Sequence, residues 1–123
     1  MAEFVYVNVS PEGERKNDCV TRAITLTTGL GYPEVRKKLF HTAKLLNCQS
    51  RLCPACYRHL LEDIFKFEQI NCEGYTVGEF ADEHPVGTYI LRVPSHLTAV
   101  IDGKSYDTFD CRDSWCDIAW KVD

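Results

Sequence analysis

The chain has no apolar run approaching the roughly 18–20 residues needed to cross a bilayer, so the sequence predicts no membrane-spanning helix. Its first stretch, MAEFVYVNVSPEGERK, has an acid at position 3 and lacks the apolar segment of a secretory signal, which predicts a cytosolic protein. There is no long basic run and the formal net charge is −4, so nothing predicts an electrostatic grip on nucleic acid or on an anionic membrane surface, and neither is expected as a partner. Internal repeats, low-complexity tracts and linkers are missing as well. At 123 residues the chain can bury one real core but is short for two, so residues 1–123 are read as a single domain. Its 45% hydrophobic and 26% charged content is that of a globular fold.

What the chain does have is cysteine: seven, an odd number. In a secreted domain this would be a disulfide framework with one thiol left over. Without an export signal, reducing conditions favour free thiols, a metal site or a catalytic thiolate.

Hydrophobic periodicity orders the chain. EFVYVNV (3–9) alternates and is rich in β-formers, so it predicts a strand, followed by a polar loop at 10–16. Asn17 or Asp18 can cap a helix that runs to about Thr28 and stops at Gly29, with Val20, Ala23, Ile24 and Thr27 facing the core. Pro33 opens a second helix with an apolar stripe of Val35, Leu39, Ala43 and Leu46. After a cysteine-bearing loop at 47–55, a third helix is expected over 55–67. TVGE (76–79) is a capping-box signature for a fourth, short helix. The period then changes. Strands are predicted at 87–93, 96–102, 104–109 and 117–122, with Asp102-Gly103 as a two-residue hairpin turn. The order predicts an α+β fold: an N-terminal helical half packed on an antiparallel sheet.

Within this layout NDCVTRAI (17–24) stands out, because it sets Cys19 at the start of a helix. A free thiol ionises near pH 8.5 and needs help to attack a carbonyl at neutral pH. A helix N-terminus supplies about half a positive charge. A histidine can take the proton and return it to a leaving group, provided a carboxylate or amide orients the ring. His96 heads one predicted strand, and Asp107 lies on the next, across the Asp102-Gly103 turn. Asp102 and Asp110 compete with Asp107 for the orienting role, although Asp102 is explained by its turn. Arg22, one turn after Cys19, can contact substrate, support an anion at the site or form a structural salt bridge. His41, His59 and His84 read as solvated.

NDCVTRAI, the following Gly-Tyr-Pro-x-Val helix and the later block GTYILRVPSHLTAVIDGKSYDTFD resemble the small papain-like cysteine peptidases. The nearest likeness is to bacteriophage and bacterial proteins related to the bacteriocin-processing peptidases. The resemblance spans about residues 13–30 and 75–122. It implies a papain-like fold with Cys19 as nucleophile, His96 as general base and acid, and Asp107 as the orienting carboxylate. It also implies a protein or peptide substrate, a Cys-acyl intermediate and no cofactor, with host cytoplasm as the setting for a phage-encoded enzyme. Papain-like enzymes complete their oxyanion hole with a side-chain amide, usually Gln, upstream of the nucleophile. No Gln precedes Cys19 here, which leaves Asn17 and Asn8 as candidates. Two rivals stay open: an acyltransferase of the transglutaminase type, and a catalytically weak papain-like module that binds and inhibits a host protein.

The remaining thiols pose a separate question. Cys48, Cys53 and Cys56 in CQSRLCPACYRH, with Cys72 in QINCEG, offer four sulfurs for a tetrahedral zinc site. The spacing contains one clean Cys-x-x-Cys, and the Cys-Pro-Ala-Cys run also suits a redox pair. Free thiols packed in a core are the simplest reading. Cys111 and Cys116 flank the last predicted turn and take no assigned role.

Overall fold

A computed structural model describes residues 2–11, 18–48 and 53–123, so the loops expected at 10–16 and 47–55 fall partly outside it. The elements are β1 (Glu3–Tyr6), α1 (Cys19–Thr28), α2 (Tyr32–Leu45), α3 (Pro54–Arg58), β2 (Glu68–Ile70), α4 (Val77–Glu83), β3 (Thr88–Val93), β4 (His96–Ile101), β5 (Lys104–Asp107) and β6 (Ile118–Lys121). The fold is α+β.

Local chemistry sets most boundaries. Helix α1 ends because Gly29 takes the left-handed conformation (φ 76°) and returns its N–H to the Thr25 carbonyl. Pro33 occupies the first turn of α2, where its missing N–H costs nothing. At α4 the Thr76 side chain accepts from the Glu79 N–H at 3.2 Å and the Glu79 carboxylate accepts from the Thr76 N–H at 2.9 Å. This reciprocal capping contributes about 1 kcal/mol. The third helix differs from expectation. It is α-helical only over Pro54–Arg58 and continues as a wider π-helical turn over His59–Ile64. Leu60 and Leu61 are both buried there, and Glu62 accepts a 2.8 Å hydrogen bond from the Trp120 indole.

The strands form one six-stranded sheet in the order β1-β5-β4-β3-β6-β2. Two tight turns fix its central register. Asp102 and Gly103, both with positive φ, join β4 to β5 with Ile101 opposite Lys104. Pro94 and Ser95 join β3 to β4 with Val93 opposite His96. Ser95 has φ 59°, as the position after a Pro in a type II turn requires. The sheet is mixed rather than antiparallel as expected: β1 runs parallel to β5, with Tyr6 opposite Asp107. Strand β2, on the opposite edge, is three largely exposed residues with no alternation to announce it.

Alternation along β3 builds a core on each face of the sheet. Ile90 packs with Leu97, Ile118, Trp120 and the residues of α1, α2 and α3. Tyr89, Leu91 and Val93 point the other way and pack with Val77, Phe80 and Ala81 of α4. The helices therefore do not all cover one face, as the simpler expectation held. Fully buried Trp120 and Phe80 anchor the two layers, and truncating either to Ala costs about 3–5 kcal/mol. Leu46, placed on the α2 stripe by its spacing, falls past the end of the helix and is largely exposed. No helix among the described residues is long and apolar enough to cross a membrane.

Candidate active site

Helix α1 packs against β4, and each element begins with a reactive residue: Cys19 and His96. The paired β4–β5 ladder runs from Ile101 and Lys104 to Ala99 and Tyr106. Continued by one residue, that register sets Asp107 opposite Thr98, on the same side as His96 two residues back, which is the diagonal relation that lets long side chains meet. His96 Nε2 and Asp107 Oδ2 are 2.6 Å apart, and both side chains are nearly buried. The Phe109 ring packs on the imidazole, with centroids 4.7 Å apart. With Nε2 engaged, the other ring nitrogen is left for Cys19, which lines the same cleft and interacts electrostatically with the imidazole.

The electrostatics follow. Burial pushes the Cys19 thiol up, but the hydrogen bond and charge of His96, with the backbone N–H groups of Leu97 and Val20, bring it below its ordinary value. Burial works against the His96 imidazolium too. Asp107 and Cys19 nevertheless raise it to about 9. Asp107 is held below the ordinary carboxylate range despite burial, by the hydrogen bond of His96, then Thr98 and the Thr108 N–H. The Thr108 N–H donates to Oδ1 at 2.7 Å. These shifts run in the directions that favour thiolate, imidazolium and carboxylate in a row.

Beside Cys19 and His96 lies a cleft of about 460 Å³, walled by Val20, Pro54, Tyr57, Arg92, Leu97 and Asp117. Arg92 Nε lies 3.8 Å from Asp117 Oδ2. No side-chain amide is among the described residues lining the cleft. Asn8 accepts the Ser10 N–H at 3.0 Å in a local turn, and Asn17 lies outside the described residues. The donors at hand are the first-turn N–H groups of α1, which Asp18 does not cap.

The rival aspartates go elsewhere. Asp110 is exposed and pairs with Arg112 at 2.7 Å. Asp102 accepts the Gly87 N–H at 3.0 Å from within its turn. Of the histidines expected to be solvated, His41 is exposed and His59 pairs with Asp63 at 2.9 Å. His84 departs from that reading: it stacks on Phe80 at 3.9 Å and meets the Phe80 carbonyl. Sequence reasoning missed Tyr32, whose hydroxyl donates to Asp18 at 2.9 Å, and the cleft walls Tyr57 and Arg92. The i, i+4 opposite charges of Asp18 and Arg22 were a visible signal for their ion pair.

The four sulfurs proposed for zinc do not converge. Cys48, Cys53 and Cys56 sit at or in the first core, with the Cys56 thiol donating to the Leu39 carbonyl at 3.4 Å. Cys72 lies in the second core and donates to the Cys116 carbonyl at 3.6 Å. The thiols thus fill two separate cores, one on each face of the sheet. Among the described residues, the group of three metal-type ligand atoms within 4.8 Å of one another is His96, Asp107 and Cys111. Its 2.6 Å contact is that of a direct hydrogen bond, whereas neighbouring ligands around zinc stand about 3.3 Å apart.

Comparison of the chain with protein-family models, with curated proteins and with solved structures finds no match. The functional reading therefore stands on the residues and their geometry.

Proposed function

We propose that this protein is a small papain-like cysteine hydrolase that cleaves an amide or thioester bond of a protein or peptide through a Cys19-acyl intermediate. The observation that carries the proposal is the His96 ring, with Nε2 2.6 Å from Asp107 Oδ2, lining one cleft with the Cys19 thiol. A nucleophile at a helix start, with base and carboxylate on adjacent strands, is the layout that the sequence resemblance implies, and phage or bacterial cytoplasm is the setting proposed with it.

In the proposed reaction, Cys19 Sγ attacks the carbonyl carbon of a substrate lying in the cleft. The electron pair of the C=O bond moves to oxygen, and the resulting oxyanion faces the uncapped N–H groups at the start of α1. The His96 imidazolium gives its proton to the leaving nitrogen or sulfur as that bond breaks. Water then attacks the acyl-enzyme, His96 takes a proton from it, and the thiolate departs. Asp107 keeps the ring oriented and stabilises its cationic form.

A specific observation favours a second reading. No side-chain amide stands among the described cleft residues to serve as a second oxyanion donor of the papain type, and removing such a donor costs about 10²–10³ in rate. A slow enzyme with a reactive cysteine suits acyl transfer to a bound amine, or capture of a partner protein in the cleft. Incubation with activated peptide thioesters, followed by intact mass, separates these outcomes. The proposal expects an acyl adduct on Cys19 that decays to free acid and is absent from Cys19→Ala and His96→Ala. No adduct on the folded wild-type chain would overturn it.

A further inference from the structure

The proposed reaction uses Cys19, His96 and Asp107, and leaves a buried charged arm beside them without a task. Asp18 precedes the nucleophile and is 1% exposed, yet it does not cap the helix it introduces. Its side chain turns inward. Oδ1 is ion-paired with Nη1 of Arg22, one turn along α1, and Oδ2 accepts the Tyr32 hydroxyl at 2.9 Å. The other prong of the guanidinium, Nη2, lies 3.8 Å from Asp107 Oδ1. Asp107 thus has Arg22 near one oxygen and His96 on the other. Counted outward from α2, the arm runs hydroxyl, carboxylate, guanidinium, carboxylate, imidazole, thiol.

We propose that Arg22 is a positioning residue for the reaction: held by Asp18, it ties the start of α1, and with it Cys19, to Asp107 of β5. The inference rests on the Cys-His-Asp reading of the site. A forked cation serves both carboxylates at once, one prong each, whereas lysine keeps the charge but offers it at a single point. The guanidinium also separates two buried carboxylates that would otherwise face each other. Taking it away leaves the site more negative, which opposes thiolate formation at Cys19. Taking away the Asp18 charge instead makes the site more positive and favours the thiolate. The two substitutions therefore act in opposite directions on the same sulfur.

Several charged or titratable groups surround Cys19 and His96, directly or through Asp107 and Arg22. Asp18 and Arg22 come from α1, Tyr32 from α2, Asp107 from β5 and Cys111 from the segment after it. Arg92 and Asp117 stand across the cleft.

The test is the pH profile of Cys19 alkylation by iodoacetamide on the full chain, for wild type, Arg22→Met, Arg22→Lys, Asp18→Asn and His96→Ala. Arg22→Met is expected to move the acid limb up by about one pH unit, a fall of about tenfold in rate below the limb. Asp18→Asn is expected to move it down, and Arg22→Lys to return most of the wild-type limb. A limb that stays in place in Arg22→Met, with the rate lowered equally at every pH, makes Arg22 purely structural and overturns the inference. Should Arg22→Met not fold, Asp18→Asn decides: an acid limb that is unmoved or moves up overturns it. A His96→Ala profile identical to wild type overturns the Cys-His-Asp reading itself, and this inference with it.

Discussion

Cys19 and Cys111 stand on either side of one carboxylate, and their chemistry is opposite. Cys19 meets Asp107 through the His96 ring, and its thiol is brought below its ordinary value against the cost of burial. The Cys111 thiol points at Asp107 Oδ2 directly, at 3.9 Å, with no cation between. Burial first pushes it up, a hydrogen bond from Thr98 opposes this, and the charges of Asp107 and Asp110 add to the rise, to about 11. The same carboxylate thus stands near a thiol that is lowered where an imidazole lies between them, and near one that is raised where burial acts and none does. Cys116 and Cys56 make the same point from the two cores: burial without a cation pushes both up, Cys56 to about 11.

The comparison can be broken most strongly at its intermediary. His96→Ala should lower the alkylation rate of Cys19 near pH 7 by about tenfold or more. An ordinary thiol is only a few per cent ionised at that pH, and the lower nucleophilicity of a more acidic thiolate offsets part of the gain. Peptide mapping of the native protein should find Cys19 labelled and Cys111 untouched in the wild type. Equal labelling of both thiols would end the contrast.

Asp107→Asn should move the two thiols in opposite directions. Cys19 loses several-fold in reactivity, because the imidazolium beside it is less well held. Cys111 loses a facing negative charge and drops towards its ordinary value. Separate pH titrations of the two sites by mass spectrometry would detect this. Parallel movement would mean that the substitution acts on the fold alone.

A smaller effect belongs to stability. His96 is raised from 6.5 to about 9 in the fold, so its contribution is complete below about pH 6.5 and is lost as pH rises through 9. Cys19, held low, contributes above its ordinary value and loses that contribution as pH falls through its lowered one. The melting temperatures of wild type and His96→Gln should therefore converge as pH is raised from 6.5 past 9. A gap that widens over that interval would give His96 a different role. The smallest effect is expected of Cys111→Ala, which costs about 1 kcal/mol of packing and leaves the alkylation rate of Cys19 near wild type. A large fall in that rate would make Cys111 part of the site.

The helices with strong local chemistry were legible in the sequence, as Gly29, Pro33 and the Thr76–Glu79 box show. So were the hairpins, because Asp102-Gly103 and the paired alternation of β4 and β5 determine each other. The pairing of His96 with Asp107 was readable through that hairpin. What could not be read depends on contacts between distant parts of the chain. The parallel course of β1 is set by β5, a hundred residues later. The face chosen by α4 is set by Tyr89 and Leu91. Asp18 looked like a helix cap because its position suits one. It turns inward because Arg22 and Tyr32 offer a buried carboxylate better partners than a first-turn N–H does. The zinc set failed for a related reason: spacing counts residues, and the sheet separates Cys72 from the other three thiols.

The central claim is that His96 makes Cys19 more acidic than an ordinary thiol. The most direct measurement is a pH titration of the ultraviolet thiolate band of the folded protein, taken as wild type minus Cys19→Ser and repeated in a His96→Ala background. The account predicts a difference band that persists to a pH below the ordinary thiol range and returns to that range once His96 is removed. A band that titrates at the ordinary value in both backgrounds would contradict it.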